Sequence, residues 1–230
     1  MAAVILRATG LVRHFGGLKA LDGVDLDLIA GEVHALIGPN GAGKTTLVGL
    51  LSGRVAPQAG SILLDGAEIA HLPAHLRVRR GIAYTFQITS IYRRLTVAEN
   101  VALACGGRAE LDRVGLAGHA EQLAGTLSYG HQRLLEVAMG LSLHPRVLIL
   151  DEPTQGLSEG EIDQFKTLVQ SMIPATTVLL IEHNMEVVMD LADRITVLNF
   201  GRVLARGTPA EIRADRQVQA AYLGGGDAAA

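Results

Sequence analysis

Residues 38–46 read Gly38-Pro39-Asn40-Gly41-Ala42-Gly43-Lys44-Thr45-Thr46 and satisfy G-x-x-x-x-G-K-[ST] at every fixed position. Glycines at 38, 41 and 43 let a backbone curl so that successive N–H groups converge, and a helix starting there adds partial positive charge at the same point. The flanks supply that setting: residues 32–37 read as a short buried strand and residues 46–51 as a helix start. In such a loop Lys44 reaches the terminal phosphates, and the Thr45 hydroxyl takes one Mg²⁺ position. A Gly-rich turn without chemistry does not need this pattern in this setting, so a nucleoside triphosphate site is the expectation.

Composition narrows what surrounds such a site. At 230 residues and 49% hydrophobic content the chain can bury a core for one large domain, or for a core with a small subdomain. The formal net charge of −3 gives no basic face for nucleic acid, and the arginines at 77, 79, 80, 93 and 94 lack interleaved aromatics, so they read as a solvated patch. Cys105 is the only cysteine, which rules out an internal disulfide and a thiolate metal site and suits a reducing compartment. His71 and His75 are separated by Pro73, and H-E-x-x-H is absent, so no zinc site is expected. The first seven residues are too briefly apolar for a signal sequence, and no run approaches about 18 apolar residues; the chain is expected neither to span nor to cross a membrane by itself.

Along the chain, short β-rich runs at residues 4–6, 11–12, 26–28 and 33–37 are punctuated by Gly16-Gly17, Asp22-Gly23 and Gly31, and predict an antiparallel edge leading into the phosphate-loop strand. Phe15 stands on an early loop in a chain with 3% aromatics; its position fits an adenine-stacking ring and a core phenylalanine equally. Residues 61–64 read as a strand, 73–80 as a short helix, and 82–86 as a strand delivering Gln87 into a loop. There an amide oxygen either ligates Mg²⁺ and orients water or is simply solvated. Residues 96–145 change character. Thr96 to Glu99 has capping-box spacing, and apolar positions 97, 101, 103, 111, 114, 116, 123, 134, 135 and 137 recur without β punctuation, predicting a helical subdomain inserted in an α/β core. Within it Ser128 is a good N-cap and Gly130 allows close backbone approach; this start is either a second anion site or an ordinary capped helix.

Residues 147–150 form a continuous apolar run, as in a parallel strand buried on both faces, ending in Asp151-Glu152. Carboxylates there suit Mg²⁺–phosphate chemistry, with Asp151 holding the metal and Glu152 polarising water. Residues 176–181 are a strand of the same type ending in Glu182 and His183, where a histidine either contacts a γ-phosphate or is structural. Residues 193–198 and 202–206 flank Asn199-Phe200-Gly201 as a hairpin, Thr208-Pro209 opens a terminal helix, and residues 224–230 read as a disordered tail. A literal G-x-S-x-G at residues 156–160 is not a hydrolase elbow, because that serine must end a strand directly and residues 153–157 intervene.

The order phosphate loop, Gln87, residues 127–132 (Leu-Ser-Tyr-Gly-His-Gln), residues 147–153 (Val-Leu-Ile-Leu-Asp-Glu-Pro) and His183 resembles the ATP-binding cassette ATPases, over about residues 4–223. The resemblance implies an α/β P-loop NTPase fold with a mainly parallel central sheet, an N-terminal antiparallel β-subdomain and an inserted helical subdomain at about residues 96–145, within one domain of residues 1–223. It implies ATP and Mg²⁺ as cofactors. Phe15 becomes the adenine-stacking aromatic, Gln87 the Q-loop, Asp151 the metal carboxylate, Glu152 the general base and His183 the switch histidine. Ser128 and Gly130 become signature residues acting on a partner subunit's ATP. Tyr129 and His131 depart from the usual signature, and Ser158 stands where many relatives carry Asp. Residues 93–100, 180–185, 188–189, 207–209 and 221–224 resemble bacterial importer ATPases for branched-chain amino acids and for urea or short amides. The partners so implied are a second ATPase subunit, integral membrane permeases and, indirectly, a periplasmic solute-binding protein. The place is the cytoplasmic face of the inner membrane; a lipid or lipopolysaccharide exporter ATPase is the alternative.

Overall fold

The computed structural model describes residues 3–85 and 91–223, so Gln87 and the segment from Gly224 onward lie outside the described residues. The N-terminal stretch corrects the sequence reading. Instead of short runs it forms two 12-residue strands, β1 (Val4–Phe15) and β2 (Leu18–Ile29). Gly10 and Gly23, at φ 60° and 77°, sit inside them, and the β1–β2 register shifts where these glycines fall. A glycine that looks like a strand end therefore acts as a bulge. With β4 (Ala59–Leu64) and β5 (Ala67–Glu68) these strands make a separate antiparallel sheet in the order β2-β1-β4-β5, rather than an edge of the phosphate-loop sheet.

The second sheet runs β10-β9-β3-β8-β7-β6. Its strands are β3 (Val33–Ile37), β6 (Ile82–Thr85), β7 (Val147–Asp151), β8 (Thr177–Ile181), β9 (Arg194–Asn199) and β10 (Arg202–Gly207). All neighbours are parallel except the β9–β10 hairpin. Every residue of β3, β7 and β8 is buried, as unbroken apolar runs in a sheet covered on both faces require. One register row joins Leu36, Ile181 and Asp151. The chain consequently leaves β3, β7 and β8 along a single edge, and the functional side chains predicted after those strands are delivered there together.

Helix α1 (Lys44–Ser52) buries Leu47, Val48, Leu50 and Leu51 in the cluster that includes Leu6, Leu21 and Leu26 of the antiparallel sheet. Helix α2 (Ala74–Arg79) contributes buried Arg77, whose guanidinium donates to the Leu50 and Leu51 carbonyls at 2.5 and 3.0 Å and satisfies acceptors that the end of α1 leaves open. Between β6 and β7 come α3 (Val97–Leu103), α4 (Arg108–Arg113), two 3₁₀ turns and α5 (Tyr129–Leu141). Thr96 and Glu99 close the predicted capping box. Of the apolar positions read as one helical pattern, Leu103 and Leu123 are exposed and the rest are buried against α6 (Glu159–Met172) and one face of the parallel sheet. Helices α7 (Met185–Leu191), α8 (Pro209–Ala214, opened by the Thr208 cap) and α9 (Arg216–Leu223) complete the chain.

Candidate nucleotide site

The phosphate loop joins β3 to α1 and is specified by what lies behind it. A Cβ on Gly38 would run into the Leu198 carbonyl oxygen of β9, and one on Gly43 would sit 2.5 Å from the Ala20 carbonyl oxygen of β2. Gly43, at φ 107°, is the N-cap of α1 and offers no side-chain acceptor, so the first amides of the helix are left for a ligand. Gly41, at φ 77°, faces open space. Lys44 is buried and turns back across the loop, donating from Nζ to the Gly38 and Pro39 carbonyls at 2.6 and 3.1 Å. Burial pushes its pKa down, opposed by the nearby carboxylates of Glu152 and Asp151. Thr45 is exposed beside it.

Asp151 ends β7 and is buried; burial pushes its carboxyl above the usual carboxylate range, while a hydrogen bond from Tyr84 opposes that shift. The Tyr84 hydroxyl donates to Asp151 Oδ2 at 2.8 Å, and the Arg54 guanidinium lies over the Tyr84 ring at 4.1 Å. Burial first, and then the bond to Asp151, push the phenol pKa up, so it stays protonated and a donor. Glu152 follows with φ 51°, and its Oε1 shares a 2.7 Å hydrogen bond with His183 Nε2 from the end of β8.

These groups converge on one cavity of about 300 Å³, lined by Phe15, Leu18 and Ala20 of the antiparallel sheet, residues 40–46, Glu152 and His183. Phe15 is 46% exposed at the end of β1, with the Arg13 guanidinium 4.7 Å from its ring centroid; it is not a core phenylalanine. A larger cavity of about 470 Å³ lies between α4, α5 and α6 and contains none of the predicted residues.

Ser128 and Gly130 do not line the phosphate-loop cavity. Ser128 is the exposed N-cap of α5, its Oγ accepting from the His131 amide at 3.2 Å. Gly130 is buried, and a Cβ there would strike the Glu161 carboxylate of α6; the adjacent Tyr129 ring lies over Gly156, where a Cβ would meet Cε1 at 3.0 Å. Ser158 caps α6, its amide and hydroxyl both donating to Glu161 Oε2 at 2.8 Å. The hydroxyl that a hydrolase elbow would expose is thus engaged at a helix start, and His183 faces Glu152.

Residues 21–155 match the ABC transporter family, and residues 202–228 match the branched-chain amino acid ATP-binding cassette transporter family. The chain belongs to the ABC transporter family. It is 41% identical to the high-affinity branched-chain amino acid transport ATP-binding protein BraF of Pseudomonas aeruginosa and 39% identical to LivG of Escherichia coli, in each case over 97% of this chain and 99% of the relative. Among solved structures it is similar to an ABC transporter's ATP-binding cassette in its ADP conformation, with a TM-score of 0.89 and 27% identity over 96% of this chain and 99% of that one. It is as similar to a nucleotide-free cassette, with a TM-score of 0.88 and 26% identity. The cassette is therefore an ATP-binding and ATP-hydrolysing transporter subunit of the P-loop NTPase fold. No helix among the described residues is long and apolar enough to cross a membrane.

Two side chains in the cassette's site escaped the sequence reading. Tyr84 reads as one of several residues of a strand, and only the β6–β7 pairing sets its hydroxyl beside Asp151. Glu182 reads as a strand-end acid; its alternation with His183 was the sole signal that its side chain turns inward where the histidine turns outward.

Proposed function

We propose that this ATPase contributes half of each of two composite ATP sites in a two-chain assembly, and that it drives uptake of branched-chain amino acids, or a related small polar solute such as urea or an amide, through membrane permeases. The likeness to BraF and LivG over nearly the whole chain supports import rather than lipid export. In this reading the ATPase works at the cytoplasmic face of the inner membrane, with a periplasmic solute-binding protein acting upstream. Phe15 stacks the adenine. Residues 38–46 wrap the phosphates with their amides, and Lys44 exchanges its two loop carbonyls for terminal phosphate oxygens. The donor set of Asp151 and Thr45, all oxygen and only one carboxylate, fits Mg²⁺, which keeps waters and takes its remaining ligands from phosphate; Gln87 is assigned to the same ion. When bound, that ion neutralises charge on the transferring phosphoryl group.

The attacking water's oxygen bonds to the γ-phosphorus as the phosphorus–oxygen bond to ADP breaks, Glu152 takes the water's proton as general base, and His183 donates a hydrogen bond to a γ-phosphate oxygen. The observation that carries this reading is the meeting of Glu152 and His183, 2.7 Å apart, in the lining of the phosphate-loop cavity. Ser128 and Gly130, outside that cavity, close the site of the other chain, so two chains facing head to tail form two equivalent sites about a two-fold axis. Glu152→Gln keeps shape and hydrogen bonding but removes the carboxylate. It should abolish hydrolysis and leave an ATP-bound dimer, seen by light scattering on a sizing column as monomer without nucleotide and dimer with ATP and Mg²⁺. A variant that stays monomeric at saturating ATP, with and without permease, or that still hydrolyses, refutes the reading.

A further inference from the structure

Glu182 is 4% exposed, and its carboxylate sits between the two catalytic strand ends. Oε1 accepts from the Thr154 amide at 2.9 Å and from the Thr154 hydroxyl at 2.6 Å; Oε2 accepts from the amides of His183 at 3.0 Å and Asn184 at 3.3 Å. The contacts are arranged along the chain in a specific way. β7 and β8 pair as far as Asp151 and Ile181, and the Glu152 amide donates to the Ile181 carbonyl at 2.8 Å, the last backbone link between them. Beyond it the strands diverge: the chain after β7 turns at Glu152, in a left-handed conformation at φ 51°, and the chain after β8 turns into α7. Glu182 continues the connection where backbone pairing stops. It takes both donors of Thr154 on one side and two consecutive amides on the other, with Glu152 two residues from the first set and His183 in the second.

His183 is held from its other flank as well, because the Asn184 side chain caps α7 by accepting from the Glu186 and Val187 amides at 3.0 and 3.4 Å. A buried carboxylate is costly unless its lone pairs are occupied, and here four donors occupy them. A group held in this way resists displacement, and it joins the two turns from which Glu152 and His183 meet at 2.7 Å.

We propose that Glu182 is a positioning residue for hydrolysis, a carboxylate strut between the turns bearing Glu152 and His183, with Thr154 as its counterpart. The inference rests on the reading that Glu152 and His183 act on the terminal phosphate. Thr154→Val keeps volume and the backbone amide and removes one hydroxyl donor to Oε1, while Thr154→Ser restores that donor. Neither Thr154 nor Glu182 lines the nucleotide cavity, so both variants leave its lining side chains unchanged. Misplacing reacting groups lowers turnover rather than ground-state binding, so Thr154→Val should lower kcat about tenfold with KM for ATP within about twofold, and Thr154→Ser should return kcat to near wild type. Glu182→Gln, which sets an amide NH₂ against donors, should lower kcat further with KM again held.

Steady-state ATP hydrolysis by the full chain, with thermal melts alongside, tests this. The strut is refuted by a wild-type kcat in Thr154→Val, by a loss that Thr154→Ser does not recover, or by kcat and KM moving together. Should Glu182→Gln fail to fold, the Thr154 pair still decides. Glu152→Gln run in parallel separates the two levels: if it stops hydrolysis while Thr154→Val is unaffected, only the strut falls, and if it turns over like wild type, the underlying reading falls.

Discussion

Two helix starts in this chain are assigned to phosphate, and the fold treats them in opposite ways. At α1 the N-cap is a glycine in left-handed conformation with no side-chain acceptor, and Gly38 and Gly43 are pressed against carbonyls of β9 and β2. At α5 the N-cap is Ser128, whose hydroxyl already takes the His131 amide, and Ser128 and Tyr129 are exposed while Gly130 is buried under Glu161. The first start has open amides beside Lys44, Glu152 and His183; the second has one amide filled and lies outside the cavity that those residues line. A loop built into the sheet edge is suited to hold a nucleotide alone. A capped, outward-facing helix start is suited to meet one that another surface already holds.

The contrast is broken most severely at the first start. Gly43→Ala puts a Cβ 2.5 Å from a backbone carbonyl at a residue whose φ is 107°, and clash and strain together should cost about 2–4 kcal/mol. ATP binding, followed by fluorescence titration, should be lost, and the melting temperature should fall. Gly41→Ala in the same loop meets nothing of the protein within 4 Å, so for the fold only the left-handed backbone penalty of about 1 kcal/mol remains and the melting temperature should fall less. Equal damage from the two would mean that packing behind the loop does not define it.

A smaller effect sharpens the same contrast through charge. Burial raises the Asp151 carboxyl in the folded state, so the native protein binds its proton more tightly than the unfolded chain. The ionised form therefore opposes folding increasingly as pH rises from the unfolded value through the folded one. Asp151→Asn should melt higher than wild type at neutral pH, and the difference should vanish as pH falls below the usual carboxylate range. The same variant should lose Mg²⁺-dependent hydrolysis and the extra stability that ATP with Mg²⁺ gives the wild type. A variant less stable than wild type at pH 7 would show that Lys44 needs this carboxylate more than burial penalises it.

The two starts also differed in how far sequence exposed them. The phosphate loop is contiguous, so Gly38 to Thr46 announce both conformation and chemistry, and the fully apolar runs of β7 and β8 announce burial on both faces. Ser128 was legible as a cap, but nothing local separates a cap from a recognition surface. Groups brought together across long separations were silent: Tyr84 meets Asp151 over 67 residues and Glu182 meets Thr154 over 28. A Cβ on Gly130 would meet the end of the Glu161 side chain on α6, a contact within one chain that no local pattern announces. Punctuation misled at Gly23, which bulges a strand instead of ending it, because a positive φ marks a turn and a bulge alike.

The smallest predicted effect on the fold is the most telling for the second start. Ser128→Ala removes a cap and should cost about 1 kcal/mol, with ATP binding to the single chain unchanged. That loss alone does not distinguish a cap from a phosphate contact. Ser128→Asp does, since aspartate caps as well as serine and its charge is favourable at a helix N-terminus; the isolated chain should melt at or slightly above the wild-type temperature. If Ser128 only caps α5, a Glu152→Gln protein carrying Ser128→Asp dimerises with ATP as readily as its parent. If Ser128 faces the phosphates bound by another chain, the new carboxylate is set against them, and like-charge repulsion should remove the ATP-dependent dimer while leaving fold and nucleotide binding intact. Light scattering on the two variants reads the difference directly, and an undiminished dimer would reduce the second helix start to an ordinary cap.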